Sequence, residues 1–235
     1  MNILAIGAHP DDIEVGCGGT LGRYSLDGCS ITMCTVAKGD KGHTEIEPNS
    51  LQVIRKEEAT EAAAMISAEY VSLNAGDVEI SAEDKALKDD LVEIIRSVQP
   101  DVLITHPPED YMPDHVAVSK LVFSASFAAT VPNYAHSKGK TTAKITPLYY
   151  MDTLAGVDFI PEEYVDISET LETKIQMLEK HQTQLKWMKD HDGIDFTEFV
   201  TTVARFRGLQ CGAVYAEAFR QCRVWPKVKT KRFLP

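Results

Sequence analysis

The first residues suited to chemistry are His9-Pro10-Asp11-Asp12, which follow directly on the apolar run 2–8. The imidazole of His9 and the carboxylate of Asp12 are three residues apart on a tight turn, so both can reach one cation. Asp11 then points elsewhere and stays free to take a proton from a bound water. This combination is typical of a metal-dependent hydrolase.

A second polar cluster, Asp110 to His115, follows another apolar run much later in the chain. His115 is the candidate for a third ligand, because its loop in a doubly wound sheet would open beside His9. Asp114 could accept a hydrogen bond from a site histidine and so fix the tautomer of that ring. It could also be the N-cap of a helix that begins at Val116, and the two roles are compatible.

Two other interpretations of these clusters stay open. An aspartate that opens a helix, followed three residues later by Glu14, is also a capping box, although this does not explain His9. Two histidines and one carboxylate also describe the facial triad of non-haem iron oxygenases. Those enzymes usually carry H-x-D on an all-β jelly roll, whereas this chain has H-x-x-D in an alternating α/β pattern. Zinc, one ion per chain, is therefore the favoured cofactor.

Short apolar runs alternate with helical patterns through the first two thirds of the chain. Strands are predicted over 2–8, 31–36, 70–73, 102–105 and 147–151. Helices are predicted over 13–26, 51–66, 85–98 and 116–128, where apolar residues recur at helical spacing. The alternation predicts an α/β fold with a mostly parallel sheet and helices on both faces. Ligands of such sheets bind beyond the carboxyl ends of the strands, where both clusters lie.

The C-terminal third shows two long helical stretches, 167–189 and 196–219, and little strand signal. We expect these helices to pack on the sheet or to form an oligomer contact, within one domain that spans 1–235. Two irregular polar stretches, 38–50 and 133–144, are candidates for lids over a site. Their polar candidates for substrate selection are Lys38, Asp40, Lys41, His43 and His136.

Composition and charge limit the partners. The chain is 44% hydrophobic and 25% charged, an ordinary globular mixture. Its net charge of −11 opposes binding of a polyanion, so no nucleic-acid partner is expected. The basic stretch 227–232 is interpreted as a solvated tail or a subunit contact. Five cysteines without a C-x-x-C pair indicate reduced core residues. No basic leader or long apolar run is present, which predicts no membrane partner and a cytoplasmic location.

The segment from Gly7 to Glu14 resembles the A-H-P-D-D-x-E signature of the PIG-L/LmbE-like zinc deacetylases, and 113–115 resembles the end of their H-P-D-H motif. Weaker likeness extends over most of the chain, through Arg55 and Glu58, His181 and Gln184, and 212–219. The resemblance implies a Rossmann-like sheet that hydrolyses an N-acetyl group from a small-molecule amino sugar or N-acetylglucosamine-type conjugate. It also implies a homo-oligomer.

The resemblance further implies roles for individual residues. His9, Asp12 and His115 would be the zinc ligands, and Asp11 would be the general base. Arg55 would contact the substrate or the acetate product. The alternative for Arg55 is a surface ion pair with Glu58 or Glu61.

One departure from the family pattern concerns Met112, which stands where the first histidine of H-P-D-H is common. The resemblance gives that histidine the role of stabilising the oxyanion or protonating the leaving amine, and a thioether donates no hydrogen bond. Loss of one oxyanion donor typically costs about 10² to 10³ in turnover. Tyr111 and His181 are the first candidates to replace it. The catalytic candidates are therefore Asp11, Asp114 and Tyr111, and the substrate-binding candidates are Arg55, His181 and Met112.

Two functions of other classes remain as alternatives. Met112 is also compatible with a metal-bearing sugar-binding protein or a degenerate enzyme of low activity. The glycines of 16–22 suggest a nucleotide-binding loop, but G-x-G-x-x-G from Gly16 would need glycine at Leu21. These glycines are better explained by close packing of a helix against the sheet or by backbone approach around the metal loop.

Overall fold

The structure is a computed structural model that describes residues 1–134 and 141–225. Its central strand, β1 (Asn2–Gly7), is apolar on both faces and buried along nearly its whole length. Leu4 and Ile6 enter one hydrophobic core, whereas Ile3 and Ala5 enter another. A strand with this pattern has to lie inside a sheet that other elements cover on both sides.

Within the described residues the sheet has seven strands, in the order β3-β2-β1-β4-β5-β7-β6. The strands β2 (Ser30–Ala37), β3 (Glu69–Ala75), β4 (Val102–Thr105) and β5 (Leu148–Met151) continue a parallel sheet from β1. The last strand, β7 (Ala216–Gln221), is antiparallel to β5 and to β6 (Glu163–Asp166). The predicted α/β fold with a mostly parallel sheet is confirmed. The strand order reverses between β1 and β4, and such a reversal opens a crevice at the carboxyl ends of the two strands.

Helices cover both faces of the sheet. The core around Ile3 is covered by α1 (Asp12–Leu26), α2 (Pro48–Ala64) and α5 (Leu171–Leu178). The core around Leu4 is covered by α3 (Lys85–Val98) and α4 (Pro113–Ala128). The fourth helix begins three residues before the predicted Val116, because proline is well suited to a first helical turn. His115 and Asp114 therefore lie on a rigid helical turn rather than in a loop.

The prediction of two long C-terminal helices is wrong in its bounds. The stretch 167–189 divides into α5 and α6 (Gln182–Asp192), which meet at His181. The second stretch ends as α7 (Phe196–Cys211) at Gly212, whose φ of 80° closes the helix, and the chain then continues as β7. The strand β7 reads A-E-A-F-R-Q and has no β-branched residue, so local propensity gave no strand signal.

The glycines of α1 serve the close packing that the sequence predicted. A Cβ atom on Gly19 would lie 2.8 Å from Cδ1 of Ile167, and one on Gly22 would lie 3.3 Å from Cβ of Thr170. Both glycines let α1 approach the segment that leads into α5. A nucleotide-binding role is not needed to explain them.

The buried ion pair between Lys174 and Glu217 contacts the backbone in the middle of α1. Glu217 of β7 accepts hydrogen bonds from the backbone N–H groups of Gly19 at 2.9 Å and Thr20 at 2.7 Å. Lys174 of α5 donates to the carbonyl of Val15 at 2.7 Å and pairs with Glu217. Side chains from two other elements thus satisfy backbone groups of α1.

The variant Gly19→Ala should be destabilised by about 1–3 kcal/mol, because the added methyl group overlaps Ile167. Gly18→Ala is the matched control, since its Cβ would lie 3.4 Å from Cγ of Lys174, an ordinary contact. Alanine is about 1 kcal/mol better than glycine inside a helix, so this control should be neutral or slightly stabilised. Urea denaturation of both variants measures the difference. Equal unfolding midpoints would contradict the packing role of Gly19.

The second candidate lid does not reach the crevice in its described parts. Lys144 contacts Asp101, which precedes β4, so this part lies at the amino ends of the strands.

His136 and the basic stretch 227–232 fall outside the described residues. All five cysteines lie within the described ranges, and none of them forms a disulfide there. None of the helices in those ranges has the length and apolar character that a membrane crossing requires.

Candidate active site

The carboxyl ends of β1 and β4 open into a cavity of about 420 Å³. The turn after β1 and the first turn of α4 form one side of its wall. The first candidate lid segment adds Lys41 and Gly42, and α6 adds Gln184 and Trp187. Both clusters found in the sequence therefore share one cavity at the switch point of the sheet.

His9, Asp12 and His115 converge in this cavity. Their potential ligand atoms lie within 4.8 Å of one another, and the two imidazole centroids are 5.6 Å apart. The carboxylate of Asp12 lies 3.4 Å from Nδ1 of His9 and 3.3 Å from Nε2 of His115. Within the described part of the chain, the buried Nε2 of His115 has no hydrogen-bond partner. This unpartnered nitrogen, the carboxylate of Asp12 and the imidazole of His9 together form a set of donor atoms that suits a divalent metal ion.

His9 and His115 each form a hydrogen bond to a second carboxylate group through the other ring nitrogen. Nε2 of His9 donates to Asp114 at 3.0 Å, and Nδ1 of His115 donates to Asp110 at 3.0 Å. Nδ1 of His9 and Nε2 of His115 are thereby turned toward Asp12. Burial would lower the pKa of His115, but Asp12 and Asp110 outweigh it and raise this pKa to about 9. The negative charge around the ring attracts a cation, either a proton or a metal ion.

Asp114 therefore makes the hydrogen bond that the sequence predicted. Its other predicted role is wrong, since the N-cap of α4 is Met112. The carboxylate of Asp114 also accepts the backbone N–H of Val78 at 2.7 Å, which fixes the carboxylate from a second side.

Asp11 lies beside the cluster without belonging to it. Its φ of 108° is rare for a residue with a side chain, and its carboxylate makes no capping hydrogen bond to α1. The capping-box interpretation is therefore wrong, and Glu14 bonds to His181 instead, at 3.0 Å. Burial and the neighbouring Asp12 raise the pKa of Asp11 to about 7. A carboxyl group with a pKa near neutrality is suited to take up and return a proton.

His106 belongs to the site, although no role was predicted for it from the sequence. Its ring stacks on that of His115 with centroids 3.8 Å apart, and its Nε2 accepts the backbone N–H of Ala8 at 2.9 Å. Burial and the nearby His115 lower the pKa of His106 to about 4, so the ring is neutral. The available signal was its position directly after the strand 102–105, which pairs with β1.

The structure does not place either proposed replacement for the missing histidine against the cavity. Tyr111 is exposed, and its hydroxyl donates to the carbonyl of Leu154 at 3.4 Å. His181 is buried against Glu14 and is not among the residues that line the cavity. Met112 does line it, so the wall has a thioether at this point. Sequence spacing could not predict these orientations.

Arg55 lines the cavity and is only 4% exposed, so its interpretation as a surface ion-pair partner is wrong. Its guanidinium donates to the side-chain oxygen of Gln184 and to the carbonyl of Gly42 at 3.5 Å. Glu58 bonds instead to the backbone and hydroxyl of Thr183.

Two further cavity residues were missed by sequence reasoning. Asp152 follows β5 and is held by two hydrogen bonds from Arg207, at 2.6 and 3.0 Å. Trp187 of α6 lines the cavity with its ring stacked on His191 at 4.2 Å between centroids. No local motif marks either residue, because each reaches the site through the packing of distant elements.

Comparisons with known proteins agree with this geometry. The diacetylchitobiose deacetylase of Thermococcus kodakarensis is 28% identical over 229 residues, which cover 93% of this chain and 82% of that protein. The N,N′-diacetylchitobiose deacetylase of Pyrococcus horikoshii superposes with a TM-score of 0.83 at 26% identity, over 93% of this chain and 82% of that one. The 4-carboxy-2-hydroxymuconate hydratase of Pseudomonas putida superposes with a TM-score of 0.84 over 99% of this chain and 100% of that one. At 23% sequence identity, this superposition shows that the two proteins share a fold and nothing more.

The family comparison covers the part of the chain that carries both clusters. The family described as "PIG-L: GlcNAc-PI de-N-acetylase" matches residues 4–126, which include most of β1, all of β4 and the first turn of α4. More than half of the chain is matched, and His9, Asp12 and His115 lie inside the matched range. The chain therefore belongs to the PIG-L family of de-N-acetylases.

Proposed function

We propose that this protein hydrolyses the N-acetyl group of an amino sugar or an N-acetylglucosamine-type conjugate. The observation that carries the proposal is the convergence of His9, Asp12 and His115 beside Asp11 in one cavity. The names of the family and of the archaeal relatives support it, since both describe deacetylation. The enzyme class is an amide hydrolase that acts on a C–N bond outside peptides.

The donor set fits one zinc ion per chain. Two imidazole nitrogens and one carboxylate oxygen face one another, and each imidazole is oriented by an outer carboxylate. When bound, zinc would polarise the acetamide carbonyl and lower the pKa of a water molecule.

The residues around this set have separate roles in the proposed reaction. Asp11 takes the proton of the attacking water and returns it to the leaving amine. Asp114 keeps the ring of His9 in place, and Met112 provides an apolar wall. Arg55 contacts the acetamide or the acetate product. Tyr111 and His181 have no role in the proposed reaction, because neither lines the cavity.

Release of acetate by the zinc-loaded protein tests the proposed function. The substrates are N-acetylglucosamine, N,N′-diacetylchitobiose and alkyl N-acetylglucosaminides. We expect acetate and free amine in equal amounts, and loss of turnover after chelation with recovery on addition of zinc. The alternative of a sugar-binding protein without activity is not favoured by the deacetylase relatives. Tight binding of these sugars without acetate release would support that alternative.

The variant Asp110→Asn should weaken zinc binding by about 10- to 100-fold, because Asp110 orients the ring of His115. The matched control is Asp27→Asn at the exposed end of α1, far from any proposed ligand. Competition with a chromophoric chelator measures the dissociation constants. An unchanged zinc affinity in Asp110→Asn would contradict the proposed ligand set.

We also propose a cytoplasmic location and a homo-oligomer. A reducing compartment agrees with the five unpaired thiols. The oligomer rests on the family resemblance alone, and light scattering of the purified protein tests it.

A further inference from the structure

The cavity is buried at its proposed metal site and exposed at its mouth. His115 is 4% exposed, whereas Val78 is 78% exposed and Lys41 is also exposed, although all three line the same cavity. Trp187 of α6 lines the cavity as well and is partly exposed, about one helical turn before the exposed end of that helix. A substrate whose acetamide lies at the metal site therefore has to pass these residues to reach solvent.

The indole ring of Trp187 is held by a second ring on the same helix. The imidazole of His191 stacks on it, with centroids 4.2 Å apart and planes inclined by 15°, and this contact covers one face of the indole. The ring of His43, in the first candidate lid segment, is tilted by 38° at 6.4 Å between centroids and is not stacked. Trp187 can therefore line the cavity only with the surface that His191 leaves uncovered.

An indole in this position suits a ligand that is apolar on its face and polar at its edge. Tryptophan combines a large apolar face with an N–H donor at one edge. Polar groups of Lys41 and Gln184 line the same cavity. A pyranose ring matches both features, because its C–H groups form an apolar face and its hydroxyl groups lie around the edge. An alkyl chain would offer no partner to the polar groups, and their loss of water would be costly.

We propose that Trp187 forms a second sugar subsite, on which the pyranose ring next to the acetylated sugar stacks. The inference rests on the proposed deacetylation and names its substrate class, a disaccharide or longer glycan rather than a free monosaccharide. The acetylated ring lies at the metal site, and the second ring lies at the mouth of the cavity. Since the second ring does not react, its contact stabilises the bound substrate and the transition state equally, and so determines KM rather than kcat.

Tryptophan fluorescence tests the contact directly. The chain has two tryptophans, Trp187 and Trp225, so W225F leaves Trp187 as the single source of this emission. D11N is added to prevent turnover during the titration. We expect N,N′-diacetylchitobiose to change the emission of the zinc-loaded W225F/D11N protein, because the second ring displaces water from the indole. N-acetylglucosamine at the same concentration lacks that ring and should change the emission far less. No change with the disaccharide, or equal changes with both sugars, would overturn the proposal.

Steady-state kinetics of W187A test the effect on the reaction. The KM for N,N′-diacetylchitobiose should rise about tenfold, whereas its kcat and the KM for N-acetylglucosamine should change by less than about threefold. W187F keeps a flat aromatic ring and should recover most of the lost affinity. The matched control W225A removes the other tryptophan, which is 92% exposed, and should keep native kinetics with both sugars. Equal rises in KM for both sugars would mean that Trp187 shapes the whole cavity, and would overturn the proposal.

An octyl N-acetylglucosaminide tests the chemical class of the group at the mouth. It replaces the second ring with an alkyl chain, so W187A should raise its KM by less than about threefold. A rise as large as that with the disaccharide would show that Trp187 contacts an apolar chain, and would overturn the sugar subsite.

The fluorescence titration separates failure of this inference from failure of the proposed function. If the native protein releases no acetate from any sugar, the proposed function fails, and an emission change with the disaccharide alone still supports the sugar subsite. If the disaccharide is hydrolysed while the emission of Trp187 stays unchanged, the subsite is overturned in an active enzyme.

Discussion

The variant Asp11→Asn should lose about 10² to 10⁴ in kcat while it keeps a full complement of zinc. The amide has nearly the same shape as the carboxylate but cannot take up a proton from water. Asp11 lies outside the proposed ligand set, and its left-handed backbone does not depend on a capping hydrogen bond. Loss of turnover without loss of metal is therefore the specific expectation for a general base. Acetate release and zinc content of the same sample measure both quantities.

The control for this experiment is again Asp27→Asn, which removes an exposed carboxylate from the other end of α1. It should keep native kcat and zinc content. A variant Asp11→Asn that retained more than about a tenth of native kcat would contradict the role of Asp11, since general bases contribute at least about a hundredfold. Loss of zinc together with activity would instead place Asp11 among the ligands.

The variant Glu217→Gln should lower the free energy of unfolding by about 3–5 kcal/mol, the largest stability effect that we expect. It leaves the ammonium group of Lys174, which is 2% exposed, without its counter-charge. It also replaces one of the two oxygens that accept from Gly19 and Thr20 with an amide nitrogen, which donates instead. Both effects act on α1, which begins at Asp12 directly after Asp11. Urea denaturation followed by far-UV circular dichroism measures the change.

The control Lys186→Met breaks an exposed ion pair with Asp190 on α6 and should leave the unfolding midpoint unchanged. The double variant Lys174→Met/Glu217→Gln should lose less stability than the sum of the single variants, because the two residues interact directly. Additive losses, or a loss below about 1 kcal/mol in Glu217→Gln, would mean that the pair behaves like a surface contact.

Local spacing was sufficient for the part of the site that follows directly on a strand. The turn His9-x-x-Asp12 follows β1, and the first turn of α4, which carries His115, is the next helix after β4. The parallel order of β1 and β4 brings these two strand ends to one edge of the sheet. The four helices of the first 128 residues were predicted within three residues at each end, because apolar periodicity and proline mark their limits. The strand β7 was missed, because its pairing with β5 and β6 overrides weak local propensity.

The amino-acid sequence by itself determined the α/β architecture, the two histidines and the aspartate that face one another, and the aspartate beside them. Only the tertiary structure decided which way the remaining side chains point. It turned Tyr111 away from the cavity and paired Arg55 with Gln184, which is 129 residues away in the chain. The physical reason is that backbone periodicity fixes where a residue sits on its own element, whereas the direction and charge environment of a long side chain depend on the packing of elements distant in sequence.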